Sequence, residues 1–384
     1  MTVESAAIEW VRIVAERLGD LREEVVFLGG ATAGLLITDP ATTAVRATKD
    51  VDVIVEVGSW GEYAPLQARL RDKGFSEDTT EGAPLCRWLI AGIKVDVMPT
   101  SEQILGFSNR WYGPAMKTAQ RVQLTDELTI RIASPPYFVA TKIEAFHGRG
   151  KGDYQVSHDI EDLVAVVDGR LELHGEIEEA SEDLREYLHD QLTALLADDG
   201  FRESLPGHLR GDAASQARLP TLLWRLHRIH SDDDEHALLR TVLDQIMDER
   251  ELPQVQAFRL AHEPHNSLLG DLVEQGLLGM DRGRYSLAAG GLRRCLPGRA
   301  SCEVARCNSI IDELKVMYRS DPERLWPTRK LAERVGESIA DTARAVTFLS
   351  ANPLFYGLNW DANTGFVESF SLGELVLDEE HLPL

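Results

Sequence analysis

The stretch "FLGGATAGLLITDPATTAVRATKDVDVIVEV", Phe27 to Val57, decides how the chain is to be read. It opens as an apolar strand that ends in Gly29-Gly30, passes into a helix at "ATAGLLI", and crosses a loop punctuated by Pro40 and threonines. "DVDVIVEV" then reads as a second strand with Asp50 and Asp52 inside it. Side chains two apart on a strand share a face, so these carboxylates stand together while Val51, Val53 and Val55 turn to the core. Two carboxylates that close repel, and one takes up a proton unless a cation intervenes.

A third acid repeats the pattern. Asp96, in "IKVDVMP", lies between Val95 and Val97 on a later strand. If that strand neighbours the first, Asp50, Asp52 and Asp96 converge on one sheet edge. Mg²⁺ (or Mn²⁺) takes oxygen ligands, commonly carboxylates together with substrate phosphates. Three acids suit a pair of such ions roughly 4 Å apart, the arrangement of phosphoryl transfer. Gly29 and Gly30 fit the same chemistry, because glycine at a strand-to-helix passage lets a phosphate approach backbone N–H groups. Alone, Asp-x-Asp is common as a solvated pair at a strand end, and its weight comes from the company it keeps.

Working outward, residues 1–24 form a helix-like opening, "YAPLQARLRDKGF" has helical periodicity, and "CRWLIAG" with "IKVDVMP" forms a hairpin turned at Ala91-Gly92. "SNRWYGPAMK" follows as a helix-like segment, and "ELTIRIAS" is another alternating strand. From Pro135 the signals become helical, through "PPYFVATKIEAFHGRG", "DLVAVV", "EDLREYLHDQLTALLADD" and "RLPTLLWRLHRI". "HSDDDEH" reads as an acidic linker. "LLGDLVEQGLLGMDRGRYSL" predicts a helix, a tight turn and two short strands, and the segment from about Ala305 predicts three helices and a strand-rich tail.

Two glycines at a strand end, Asp-x-Asp on a strand and a lone aspartate on a later strand resemble the DNA polymerase β-type nucleotidyltransferase superfamily. The spacing from Gly30 to Asp50 is longer than in compact members, so the loop carrying Pro40 reads as an insertion. "PPYFVATKIEAFHGRGKGDYQVSHDIEDLVAVVDGR" resembles the region after the core in the AbiEii/AbiGii-toxin-like branch, found in abortive-infection systems. Lys142 matches the lysine of that branch, and "HDIEDL" matches its acidic motif with Asp159 and Asp162. The resemblance covers roughly residues 25–230. It implies that Asp50, Asp52 and Asp96 bind metal, and that Gly29, Gly30, Lys142 and Asp159 take part in binding the NTP. It also implies that an NMP passes to a hydroxyl, either an RNA end such as that of tRNA or a protein side chain. A toxin–antitoxin or phage-defence role would follow.

Several of these residues have plainer readings. Arg46 and Lys49 are most simply solvated loop charges, with Lys49 also within reach of a phosphate. "HGRGKGD" is as readily a surface loop as an acceptor site, with Arg149 and Lys151 its useful charges. His158 reads as structural, and Asp162 as a cap or same-helix pair. The tryptophans read as core, except that Trp111 is a candidate to stack a base. "LVEQGLLGMDRGRYSLAAGG" resembles the recognition helix and wing of a winged-helix module, with Arg282, Arg284, Arg293 and Arg294 as a modest basic wing. "TRKLAERVGESIADTARAVTFL" resembles a second helix-turn-helix, turned at Val335-Gly336. The acids on the first candidate helix argue against tight DNA contact and favour a protein contact, such as an antitoxin, or a weak contact with DNA or another nucleic acid.

Composition bounds the rest. The 384 residues are 43% hydrophobic and 27% charged, which predicts a globular chain of several domains. The net charge of −23 excludes a surface that grips nucleic acid throughout. Cys86, Cys295, Cys302 and Cys307 lack the spacing of a zinc or redox motif. With no membrane-length apolar run and an amphipathic opening, the protein is expected to be cytoplasmic, without a membrane partner.

The sequence thus predicts an α+β protein with a small mixed-sheet nucleotidyltransferase core over 1–134 and a helical domain completing the site over 135–230. Winged-helix-like regions over 231–300 and 301–384 follow. Two rivals stand beside this reading: a nucleotide-binding regulator with a non-catalytic core, and a toxin fused to its own restraint.

Overall fold

The computed structural model describes residues 3–42, 45–46, 48, 50–149, 152–229, 234–249, 252–254, 266–281, 283–287, 291, 295, 299–350 and 355–372. Lys49, Lys151, Arg282, Arg293 and Arg294 lie outside the described residues. The chain is mixed α and β, and it divides into two compact units. One comprises Met1–Leu192 with Ser204–Gln216, and the other Thr193–Glu203 with Ala217–Leu384.

The first unit is built on a seven-stranded mixed sheet. In chain order its elements begin with α1 (Val3–Leu18), β1 (Val25–Leu28), α2 (Gly30–Leu36), β2 (Asp50–Val55) and α3 (Trp60–Asp72). Then come β3 (Ser76–Glu77), β4 (Arg87–Ile90), β5 (Ile93–Pro99), α4 (Glu102–Leu105) and α5 (Tyr112–Lys117). β6 (Gln120–Thr125), β7 (Leu128–Ile132), α6 (Pro135–Arg149) and α7 (His158–Gly169) follow. The spatial order is β3-β4-β5-β2-β1-β7-β6, so β2 and β5, which carry the acids, are inner neighbours.

Their pairing is parallel, with Asp52 opposite Asp96 and Asp50 opposite Lys94. β1 runs antiparallel to β2 on its other side, with Leu28 opposite Asp52. Val51, Val53 and Ile54 of β2 are fully buried. Burying such side chains contributes about 1.5–3 kcal/mol each, which offsets the cost of holding half-buried carboxylates on the same strand. The hairpin between β4 and β5 turns at Ala91 (φ 50°) and Gly92 (φ 77°), the two positive φ angles that a two-residue turn of matching twist requires.

The helices that border the site are fixed locally. Ser157 caps α7 by accepting a hydrogen bond from the Ile160 N–H at 3.3 Å. The amides of Thr38 and Asp39 both donate to the carbonyl of Gly169, at 2.9 Å, which ties the loop after α2 to the end of α7. β6, in a stretch with no strand signal, pairs antiparallel with β7 as a polar edge strand.

In the second unit, one apolar cluster takes in Leu238, Val242, Leu272, Tyr285, Ile310, Phe348 and Phe370. The helix Asp234–Glu249 begins inside the segment read as an acidic linker. The helix Asn266–Glu274 precedes a hairpin of β8 (Leu278–Asp281) and β9 (Arg284–Leu287). Helices Arg299–Ser320, Thr328–Val335 and Ile339–Leu349 accompany β10 (Leu325–Pro327), β11 (Phe355–Trp360) and β12 (Val367–Leu372). These strands form a three-stranded sheet in the order β10-β12-β11. Gly336 (φ 74°) ends one helix, and Ser338 caps the next by accepting from the Asp341 N–H at 3.0 Å. Arg284 is not a projecting wing charge: its Nη2 donates to the Asn363 carbonyl at 2.8 Å, and the side chain is half-buried.

Candidate active site

The β2–β5 register brings the carboxyl-bearing positions together. Asp50 and Asp52 alternate with buried valines, so they share a face, and Asp96 is level with Asp52 on the adjacent strand. Asp50 also accepts a hydrogen bond from the Thr48 hydroxyl at 2.6 Å.

Gly29 shows why this position has no side chain. Its φ is +77°, and a Cβ there would lie 1.9 Å from Asp52 Oδ2 and 3.1 Å from Asp52 Cβ. At Gly30 a Cβ would meet Arg46 Nη2 and Asp162 Oδ2, each at 3.0 Å. The glycine pair therefore sits between two charged clusters, one on each residue.

The first cluster holds a residue that sequence reasoning passed over. Arg87 on β4 is the register partner of Asp96. Its Nε donates to Asp96 Oδ1 and its Nη2 to Asp96 Oδ2, both at 2.8 Å, and Nη2 also lies 3.9 Å from Asp50 Oδ2. The hydrogen bonds to Asp96 hold the guanidinium's pKa above its ordinary value, ahead of the opposing effect of burial. Among the described residues, no three His, Cys, Asp or Glu side chains are grouped to hold a metal ion. Here a guanidinium fork engages Asp96 instead. The signal for it was present, since a two-residue turn at Ala91-Gly92 pairs Ile90 with Ile93 and, three steps on, Arg87 with Asp96.

The second cluster is built by α6, α7 and the loop before β2. Lys142 Nζ lies 2.6 Å from Asp162 Oδ2 and 3.3 Å from Asp159 Oδ1, with all three side chains buried. Arg46 forks onto the same Asp162 at 3.0 and 3.2 Å and approaches Glu161 at 3.5 Å. Burial alone would lower the Lys142 pKa, but Asp162 and then Asp159 outweigh it and the net direction is upward. The ammonium stays charged.

Several expectations change as a result. Lys142, expected as a mobile charge for phosphate, is engaged by two carboxylates, and Asp159 is one of them. Asp162 pairs with Arg46 and Lys142 on other elements rather than along its own helix. Arg46 is bonded rather than solvated. Trp111 is 4% exposed, with ring centroids 5.0 Å from Tyr187 and 6.0 Å from Tyr137, so it packs in the interior rather than offering a face to a base. Cys86, beside Arg87, is buried, which pushes its thiol up to about 12, so it is no thiolate nucleophile at neutral pH.

No family model matches the chain, and no curated protein matches its sequence significantly. Chemically, the cluster offers hard oxygen donors on two adjacent strands, a glycine pair that permits close approach, and two charge networks that fix the neighbouring side chains. Carboxylate oxygens are the donors that Mg²⁺ or Mn²⁺ takes, and Asp50, Asp52 and Asp96 would hold such an ion by drawing closer together than they stand here. No helix among the described residues is long and apolar enough to cross a membrane.

Proposed function

We propose that the first unit is a nucleotidyltransferase core of the polymerase β type that uses a divalent metal to move an NMP from an NTP to a hydroxyl, releasing pyrophosphate. The observation that carries the reading is the in-register placement of Asp52 and Asp96 on parallel neighbours, with Asp50 on the same face. When bound, Mg²⁺ or Mn²⁺ supplies charge neutralisation for the triphosphate and a lowered pKa for the attacking hydroxyl. The chain's own residues set the stage. Asp50, Asp52 and Asp96 hold the ions, and the bare backbone of Gly29 and Gly30 lets the triphosphate come close. Lys142, Asp159, Asp162 and Arg46 tie α6, α7 and the loop before β2 together, so that the strand bearing the acids keeps its place.

The acceptor is an RNA end such as tRNA, or a protein side-chain hydroxyl, and the second unit is a set of winged-helix-like modules that engage a macromolecule or a partner. A toxin–antitoxin or phage-defence component matches this description. The test is label transfer: the full chain with Mg²⁺ and each α-labelled NTP, offered total RNA and total protein, labels one pool. Asp52→Asn abolishes the label; its persistence refutes the metal assignment.

One observation favours a second reading, a nucleotide-binding regulator with a non-catalytic core: the guanidinium of Arg87 already engages both oxygens of Asp96. Nucleotide binding without label transfer to any pool would select it.

A further inference from the structure

We propose that Arg87 is the resident counterion of the acid trio, and that a divalent cation engages Asp96 only by displacing it. The inference rests on the metal reading above and adds the group that sets the site's affinity for the ion.

The geometry is specific. One guanidinium serves two strands, with a two-bond fork on Asp96 of β5 at 2.8 Å and a 3.9 Å approach to Asp50 of β2. The backbone places it there. Antiparallel pairing sets Arg87 opposite Asp96, and the tight turn at Ala91-Gly92 leaves that register little freedom to slip. The two side chains are 18% and 13% exposed, so solvent and salt screen the pair less than an ordinary surface ion pair.

The fork occupies both Asp96 oxygens in the manner of a bidentate arginine–carboxylate pair. A small divalent ion needs direct contact with carboxylate oxygen, at roughly 2.0–2.1 Å for Mg²⁺. An ion held on Asp96 and Asp52 would also face the guanidinium's like charge at short range. Ion and Arg87 therefore compete for one carboxylate. Loading the site releases a cationic fork beside the place where a triphosphate would lie, and such forks suit phosphate oxygens. A purely structural Arg87, holding the β4–β5 hairpin by a cross-strand pair, makes the opposite forecast for metal binding: removing it would leave affinity unchanged or weaken it.

The experiment titrates Mn²⁺ alone, without nucleotide, into the full-length chain and reads free Mn²⁺ by electron paramagnetic resonance. Arg87→Gln should bind Mn²⁺ at least roughly tenfold more tightly than the unaltered chain. Arg87→Lys keeps the charge but loses the fork, and should gain less. Adding Asp96→Asn to either should erase the gain. Melting gives an independent readout: Arg87→Gln should melt lower without Mn²⁺ and recover at saturating Mn²⁺. Should Arg87→Gln fail to fold, a severalfold gain in Arg87→Lys carries the same meaning. Unchanged or weaker binding in the arginine variants, with uptake by the unaltered chain, overturns the counterion role and leaves the metal reading standing. No uptake by any variant removes the metal assignment and, with it, the competition.

Discussion

Gly29 and Asp52 lie so close that a single added methyl would occupy the carboxylate's space: a Cβ on Gly29 would stand 1.9 Å from Asp52 Oδ2. The strand end and the acid that follows on the neighbouring strand are thus one packed unit, and each constrains what the other can be.

Gly29→Ala should therefore cost more than its backbone strain. The positive φ alone is worth about 1 kcal/mol, and the overlap with Asp52 raises the expected loss to about 2–4 kcal/mol. Gly92 has the same φ of +77° with nothing within 4 Å of its would-be Cβ, so Gly92→Ala should lose only about 1 kcal/mol. Urea unfolding of the two variants makes the comparison, and equal losses would mean that the close approach does not exist in solution.

Lys142 is expected to matter for stability as well as for the site. Lys142→Met takes an ion-pair partner from Asp159 and weakens the clamp on Asp162, and breaking a buried pair from one side costs about 3–5 kcal/mol. Combining it with Asp162→Asn should cost less than the sum, by about 1–3 kcal/mol. Strict additivity in denaturant titrations would show that the two charges do not interact.

Stability should fall in mild alkali through Cys86. Its thiol is held up to about 12 by burial, ahead of the Asp96 charge, whereas an unfolded thiol ionises near about 8.5. Between these values the unfolded chain releases the proton first, so the contribution is whole below the lower pH and declines as pH rises. Raising pH from 8.5 to 9.5 should cost about 1 kcal/mol from this group, and Cys86→Ser should remove that slope. An unchanged slope would place the thiol in water.

Trp111 and Trp60 offer a contrast between inside and outside. Trp60 is 57% exposed and Trp111 4%. Trp60→Phe should remove a component of the fluorescence that acrylamide quenches, and Trp111→Phe should leave that component intact. Trp111→Ala should cost about 3–5 kcal/mol, as emptying a packed aromatic site does. Quenching that vanishes with Trp111→Phe would reverse the assignment.

The parts legible from sequence were those with local periodicity. β2 announces itself by β-branched residues alternating with Asp50 and Asp52, and the Ala91-Gly92 turn fixes the hairpin that aligns Asp96. Arg46 could not be read in this way. Its carboxylate partner, Asp162, is 116 residues away, and nothing near a loop arginine tells which distant acid will meet it. Trp111 sits in the polar stretch "SNRWYG", and its burial depends on Tyr137 and Tyr187 from other helices. β6, "QRVQLT", has no buried face to impose an apolar alternation, so as an edge strand it left no trace in composition. Arg87 differs from these, because the Ala91-Gly92 turn by itself sets Asp96 opposite it.

The chain's passage between its two units bears on how such a protein can be rearranged. It leaves the first unit after Leu192, returns at Ser204 and leaves again after Gln216. A single genetic crossover after Leu192 would part Ser204–Gln216 from the first unit, and one after Gln216 would part Thr193–Glu203, with the interior Leu195, Leu196 and Phe201, from the second. Recombination that grafts a new C-terminal half onto this N-terminal half must therefore carry the stretch 193–216 with care, so simple end-joining at one point does not exchange a whole unit.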